Sequence, residues 1–90
     1  MKERIAIICR YEKWCVNWFN MLLRFLAYNV YDGNKSLIVV NKRRRCICLP
    51  EKEIIFIAEA QRNNYLRGND EPDKIIEWDG DDINMLWDLI

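Results

Sequence analysis

Arg4 to Cys9 is a short, almost unbroken apolar run in which Ile5, Ile7 and Ile8 are β-branched, the pattern of a strand covered on both faces. From Tyr11 to Tyr28 the period changes. At 100° per residue, Lys13, Asn17, Asn20 and Arg24 fall on one narrow stripe and nearly everything else is apolar, which predicts a long helix with an apolar arc of about 260°. A helix that only covers a sheet buries well under half its circumference, so this one is expected either to lie between layers or to offer a spare face to a partner. Asp32-Gly33-Asn34 predicts a turn. Leu37 to Asn41, Arg45 to Leu49 and Glu53 to Ala58, joined at Lys42 to Arg44 and at Pro50-Glu51-Lys52, predict a β-meander with charged tips. Glu59 to Arg67 reads as a short helix closed by Gly68 in the left-handed conformation. A polar loop, Asn69 to Asp73, then leads to a second buried-type strand, Lys74 to Trp78. Asp81 or Asp82 caps a final helix with Ile83, Leu86, Trp87 and Ile90 on one face.

The order β-α-β-β-β-α-β-α predicts an α/β (α+β) two-layer sandwich, built on a mixed sheet of about five strands with the long first helix on one face. Ninety residues make a single domain, 1–90, because a smaller piece would bury too little apolar surface to offset its chain entropy. The apolar stretch Ile5 to Cys9 is too short for a signal peptide, and Trp14 to Tyr28 is too short and too interrupted to cross a bilayer. The expectation is a soluble, cytoplasmic protein with no membrane partner.

Charge divides the chain. Residues 1 to 50 hold ten Lys and Arg against three acids, a balance of +7, and residues 51 to 90 reverse it to −7. A net charge of zero therefore conceals two local fields, which act on association rather than on fold. Lys42, Arg43, Arg44 and Arg45 at a hairpin tip could reach a phosphate backbone without burying charge; the plainer use of such a cluster is edge protection and solubility. Asp70, Glu71, Asp73, Asp79, Asp81 and Asp82 could imitate phosphates and enter a basic groove, although acids also favour a helix start for structural reasons.

Catalytic chemistry is sparse. The chain has no His and no Thr, and Ser36 is its single Ser, so Ser-His and Cys-His nucleophile pairs are excluded. No phosphate-cradling glycine loop is present. The four cysteines lack the two-residue gap of a zinc knuckle and are read as reduced, buried thiols. Neither a cofactor, a metal nor catalytic residues are expected.

From Lys52 onward the chain resembles part of the ATPase core of large terminase subunits of tailed phages. The similar elements are the strand Glu53-Ile54-Ile55-Phe56-Ile57, then Leu66-Arg67-Gly68, then Lys74-Ile75-Ile76-Glu77-Trp78-Asp79 in place of the strand that ends in the family's acidic pair. Arg4-Ile5-Ala6-Ile7-Ile8 and the helix after it look like an earlier strand-helix unit of that core. The nucleotide-binding loop is missing, and Gly80 stands where the family has its catalytic Glu. The resemblance implies a phage or prophage origin and an α/β sheet, without ATP hydrolysis.

These features together suggest a non-enzymatic, phage-type accessory protein that binds a host protein or protein–nucleic acid complex and inhibits or regulates it, in the manner of anti-CRISPR proteins. Trp14, Trp18 and Phe25 would be its apolar anchors if their face is exposed, and the acidic stretch would steer the encounter. Two alternatives stand beside it: a small nucleic-acid-binding protein using Lys42 to Arg45, and a homodimeric structural module.

Overall fold

The computed structural model describes residues 2–32, 35–68 and 71–90. The expected turn at Gly33-Asn34 and the acidic residue Asp70 lie outside them. The chain forms β1 (Glu3–Cys9), α1 (Glu12–Phe25), β2 (Val39–Asn41), β3 (Cys46–Cys48), β4 (Lys52–Ala58), α2 (Arg62–Gly68), β5 (Lys74–Glu77) and α3 (Ile83–Leu89). A π-helical turn, Leu26–Val30, extends α1, and Tyr31 donates its backbone N–H to the Leu26 carbonyl at 2.9 Å. The five strands make one mixed sheet in the order β2-β3-β4-β1-β5. β4, β1 and β5 run parallel, and β2 and β3 pair antiparallel at one side. This is the expected mixed-sheet α+β architecture, with β1 at the centre of the parallel trio.

Alternation along the strands assigns the faces. Ile5, Ile7 and Cys9 of β1, Ile54, Phe56 and Ala58 of β4, Ile47 of β3 and Ile76 of β5 point to the main core, where α1 supplies Cys15, Trp18, Phe19 and Leu22, and Leu86 and Ile90 close it from the C-terminal segment. Phe19 meets Phe56 edge-on at 6.2 Å, and Trp18 meets Trp78 edge-on at 5.9 Å. Such pairs add about 1 kcal/mol each beyond the area they bury. The opposite face carries a thinner cluster of Ala6, Ile8, Cys46, Ile55 and Ile57, roofed locally by Tyr65 of α2. Two full layers, sheet and α1/α3, thus hold the core, and α2 covers part of the other face.

The wide apolar arc of α1 now has a physical cause. The sheet lies on one flank and α3 packs on a second through Phe25 and Trp87 at 6.1 Å, while on a third Leu23 and Ala27 face Ile38 and Val40 across an open groove, and Val16 and Met21 stay exposed. Trp18 is 7% exposed, and Trp14 and Phe25 are half-buried against the core. The anchors expected on a free helix face are therefore spent largely inside the fold. A second difference concerns Gly68, which is the last helical residue and does not take the left-handed backbone expected of it. Asp82 caps α3 as expected, its carboxylate accepting the Asn84 backbone N–H at 2.9 Å. No helix among the described residues is long and apolar enough to cross a membrane.

Candidate nucleic-acid interface

The chain leaves β1 toward the α1 face and leaves β4 toward the α2 face, yet β1 and β4 are neighbours in the sheet. Diverging connections from adjacent parallel strands open a crevice beyond their carboxyl ends, where α/β sheets commonly bind ligands. The basic turn lies at that edge. Cys46 pairs with Ile55 at the middle of β4, and the Arg45 carbonyl accepts the Phe56 N–H at 3.0 Å. Lys42, Arg43 and Arg44, at the tip of the hairpin, therefore lie alongside the carboxyl-terminal half of β4, and Arg43 and Arg44 share a cleft with Ile55 to Ala58.

Local chemistry holds this turn. The Arg44 N–H donates to the Asn41 side-chain oxygen at 3.1 Å, and the Arg45 N–H to the Lys42 carbonyl at 3.3 Å. Arg45 closes the four-residue loop with φ 53°, a left-handed conformation that costs a residue with a Cβ about 1 kcal/mol or more. Its guanidinium donates to the Glu12 carboxylate at 3.2 Å, binding the turn to the start of α1. Lys42, Arg43 and Arg44 are exposed, and among the described residues no carboxylate lies within ion-pairing distance of them. At the end of β1, Arg10 lies over the Tyr11 ring at 5.7 Å and Lys13 is exposed.

Two open clefts flank the turn. One, of about 350 Å³, runs between Arg43–Arg45 and a wall formed by Gln61, the last residue of the 3-10 turn Glu59–Gln61, with Asn64 and Tyr65 of α2, over Ile55 to Ala58 of β4. The other, of about 380 Å³, lies between Lys42, Arg43 and Arg45 and the Glu12, Val16 and Asn20 side of α1. Gln61, Asn64 and Tyr65 escaped the sequence reading. Their spacing at i, i+3 and i+4 was its signal, since it puts them on one side of a helix, but only the crossover of α2 onto this face brings them to the basic turn. Arg62 is committed elsewhere, donating to Glu77 of β5 at 2.8 Å with Glu59 at 3.7 Å.

The acidic stretch does not form one surface. Glu71 and Asp73 precede β5, where the Asp73 carboxylate accepts the Arg4 backbone N–H at 2.8 Å, whereas Asp79, Asp81 and Asp82 follow it. The four residues of β5 separate these groups by about 13 Å, at opposite ends of the strands. Asp79 and Asp81 border a small cleft of about 190 Å³ with Trp14, Asn17, Trp18 and Gly80, and Asp82 is used as the α3 cap. At Gly80, a Cβ would stand 2.8 Å from the Trp78 ring. A glutamate there could not sit over that tryptophan.

The four cysteines divide between the faces. Cys9 and Cys15 lie in the main core and Cys46 on the other side of the sheet, so all four thiols cannot meet at one ion. The neighbouring Cys15 thiol and burial push the Cys9 thiol up from its ordinary value. Cys46 is pushed up to about 12, by burial first and then by Cys48 and Glu53. Among the described residues no polar or charged side chain is fully buried, so the titratable groups at the basic edge act as charges in contact with water. No family model, no curated protein and no solved structure matches the chain.

Proposed function

We propose that this chain is a non-enzymatic binding module whose basic turn, Lys42 to Arg45, engages the phosphate backbone of nucleic acid. The observation that carries this reading is the position of three cations without an ion-pair partner among the described residues, at the carboxyl-terminal half of β4 and beside a cleft whose other wall offers Gln61, Asn64 and Tyr65. Cations that keep their water and face no carboxylate are suited to displacing counterions from a polyanion, and neutral amides next to them can fix its register. Replacing Lys42, Arg43 and Arg44 together with Ala tests it. Binding to a mixed-sequence oligonucleotide should weaken, and the slope of log K against log salt should flatten by about 2, at roughly 0.7 to 0.9 for each phosphate no longer neutralised. An unmodified chain that retards no oligonucleotide at low salt overturns the reading.

A separate observation favours a second reading, docking on a host protein complex as a phage-type inhibitor. Tyr28, Leu37 and Val39 are 71%, 40% and 64% exposed beside an apolar groove of about 340 Å³ lined by Leu23, Ala27, Ile38 and Val40. β2 is an unpaired sheet edge there, and an extended segment of a partner can add to such an edge. Val39→Lys should abolish capture of that partner while leaving oligonucleotide binding intact. Self-association through the same edge, the homodimeric reading, would give a dimer in sedimentation of the unmodified chain and a monomer in the variant.

A further inference from the structure

On the sheet face opposite α1, Cys46 and Cys48 stand on the same side of β3, and Glu53 of β4 is the cross-strand partner of Cys48. The two sulfurs are 3.9 Å apart, the Cys46 sulfur is 3.5 Å from Glu53 Oε1, and the three donor atoms lie within 4.8 Å of one another. Tetrahedral zinc, with Zn–S about 2.3 Å and Zn–O about 2.0 Å, requires S···S of about 3.8 Å and S···O of about 3.5 Å. The S···S separation and the Cys46–Glu53 separation match these values, and Cys48 lies within 4.8 Å of the carboxylate. A strand places alternate side chains on one face, and here the two thiols have turned toward each other and toward the carboxylate, so that closing on an ion needs no backbone movement. Arg4 of β1 is the other cross-strand neighbour of Glu53, but among the described residues no Lys or Arg forms a contact ion pair with it, so its carboxylate is free to turn to the thiols.

We propose that Cys46, Cys48 and Glu53 form a binding site for a borderline-soft divalent ion, Zn(II), with the fourth position open to water or an external ligand. Cys46 is buried while Cys48 and Glu53 are half-buried, so the ion enters from the solvent side past the latter two. Binding releases the two thiol protons to solvent as the sulfurs become thiolate ligands, and the carboxylate coordinates already ionised. No electrons are exchanged. The site clamps β3 to β4 one residue after the basic turn, and it is independent of what that turn binds.

The test uses the full chain, reduced and freed of metal with a chelator, titrated with Co(II) as a spectroscopic probe and then with Zn(II). The expected result is one cobalt per chain with an intense thiolate-to-cobalt charge-transfer band and tetrahedral d–d bands, both removed by stoichiometric Zn(II). Cys48→Ser should roughly halve the charge-transfer intensity, Glu53→Gln should weaken cobalt affinity with the band retained, and Zn(II) should raise the Tm of the unmodified chain but not of the double variant Cys46→Ala/Cys48→Ala. No charge-transfer band at millimolar Co(II) would mean a thiol–carboxylate hydrogen bond only and would overturn the assignment. An undiminished band in a folded double variant would overturn it too. Oligonucleotide binding is read separately, so neither result decides the fate of the basic turn.

Discussion

The Arg45 guanidinium donates to the Glu12 carboxylate at 3.2 Å, joining the last residue of the basic turn to the first turn of α1 across the opening of the sheet. The same residue carries φ 53°, so one side chain holds the turn in place while its backbone bears the cost of the loop. Arg45→Gly relieves that backbone by about 1 kcal/mol and loses an ion pair whose Glu12 side chain is 73% exposed, worth at most about 1 kcal/mol after screening by solvent. Urea unfolding should therefore show a stability change within about 1 kcal/mol, while oligonucleotide affinity falls. A large loss of stability would show that the pair, rather than the backbone, governs the turn.

Gly80 and Gly68 should respond in opposite directions to Ala. At Gly80 the added Cβ meets the Trp78 ring at 2.8 and 2.9 Å, and Trp78 is wedged against Trp18 in the core, so the ring cannot yield without repacking. A loss of about 1 to 3 kcal/mol is expected. At Gly68, in the last turn of α2, a Cβ meets nothing within 4 Å, and restricting the unfolded chain should stabilise by up to about 1 kcal/mol. Denaturant midpoints of the two variants, bracketing the parent, check both.

The strands and the long helix were legible because their periods are set by short-range packing: Ile5, Ile7 and Ile8 announce a strand covered on both faces, and Lys13, Asn17, Asn20 and Arg24 mark the solvent stripe of α1. What covers the rest of that helix was not legible, because Phe25 meets Trp87 across 62 positions of sequence and no local pattern records such a pairing. The same limit explains the candidate site. The cluster Lys42 to Arg45 could be found from composition and turn chemistry, but the polar wall of Gln61, Asn64 and Tyr65 depends on α2 crossing to the far face. The acidic residues looked contiguous along the chain and are divided by β5, which leaves Asp73 at one end of the strands and Asp79 at the other. Cys46 and Cys48 were visible as neighbours; their third partner, Glu53, is fixed by antiparallel register.

Alkaline pH should weaken the fold. A thiol ordinarily loses its proton near 9.0, and the Cys15 thiol and burial hold the Cys9 proton on well beyond that; burial, with Glu51 nearby, raises Tyr31 in the same sense. A group whose folded pKa is raised contributes stability that is complete below its unfolded value and is lost as pH climbs past it, because the unfolded chain has released a proton that the folded one retains. For Cys9 the decline starts near pH 9, at up to about 1.4 kcal/mol per pH unit. The bond that holds the Cys9 proton lowers Cys15, which burial alone would raise, so both thiols are removed together: Cys9→Ala/Cys15→Ala, although less stable at neutral pH for the sulfurs it loses, should show a shallower decline above pH 9 in a series of urea titrations. Parallel curves for parent and variant would place the alkaline loss elsewhere.

Gln61 and Asn64 give a way to separate positioning from charge at the basic edge. Both face the cleft opposite Arg43 to Arg45, both are exposed, and neither carries charge that could release a counterion. If they hydrogen-bond the sugar-phosphate chain that the arginines attract, Gln61→Ala/Asn64→Ala lowers affinity by about 1 to 3 kcal/mol, the range of two net hydrogen bonds, and leaves the salt dependence unchanged. The Lys42, Arg43 and Arg44 replacements change the slope itself. Oligonucleotide titrations at several salt concentrations distinguish the two: a vertical displacement of log K against log salt assigns Gln61 and Asn64 to register, a change of slope means their loss has displaced the arginines, and superimposable lines mean the polyanion runs along the α1 side of the turn, past Val16 and Asn20.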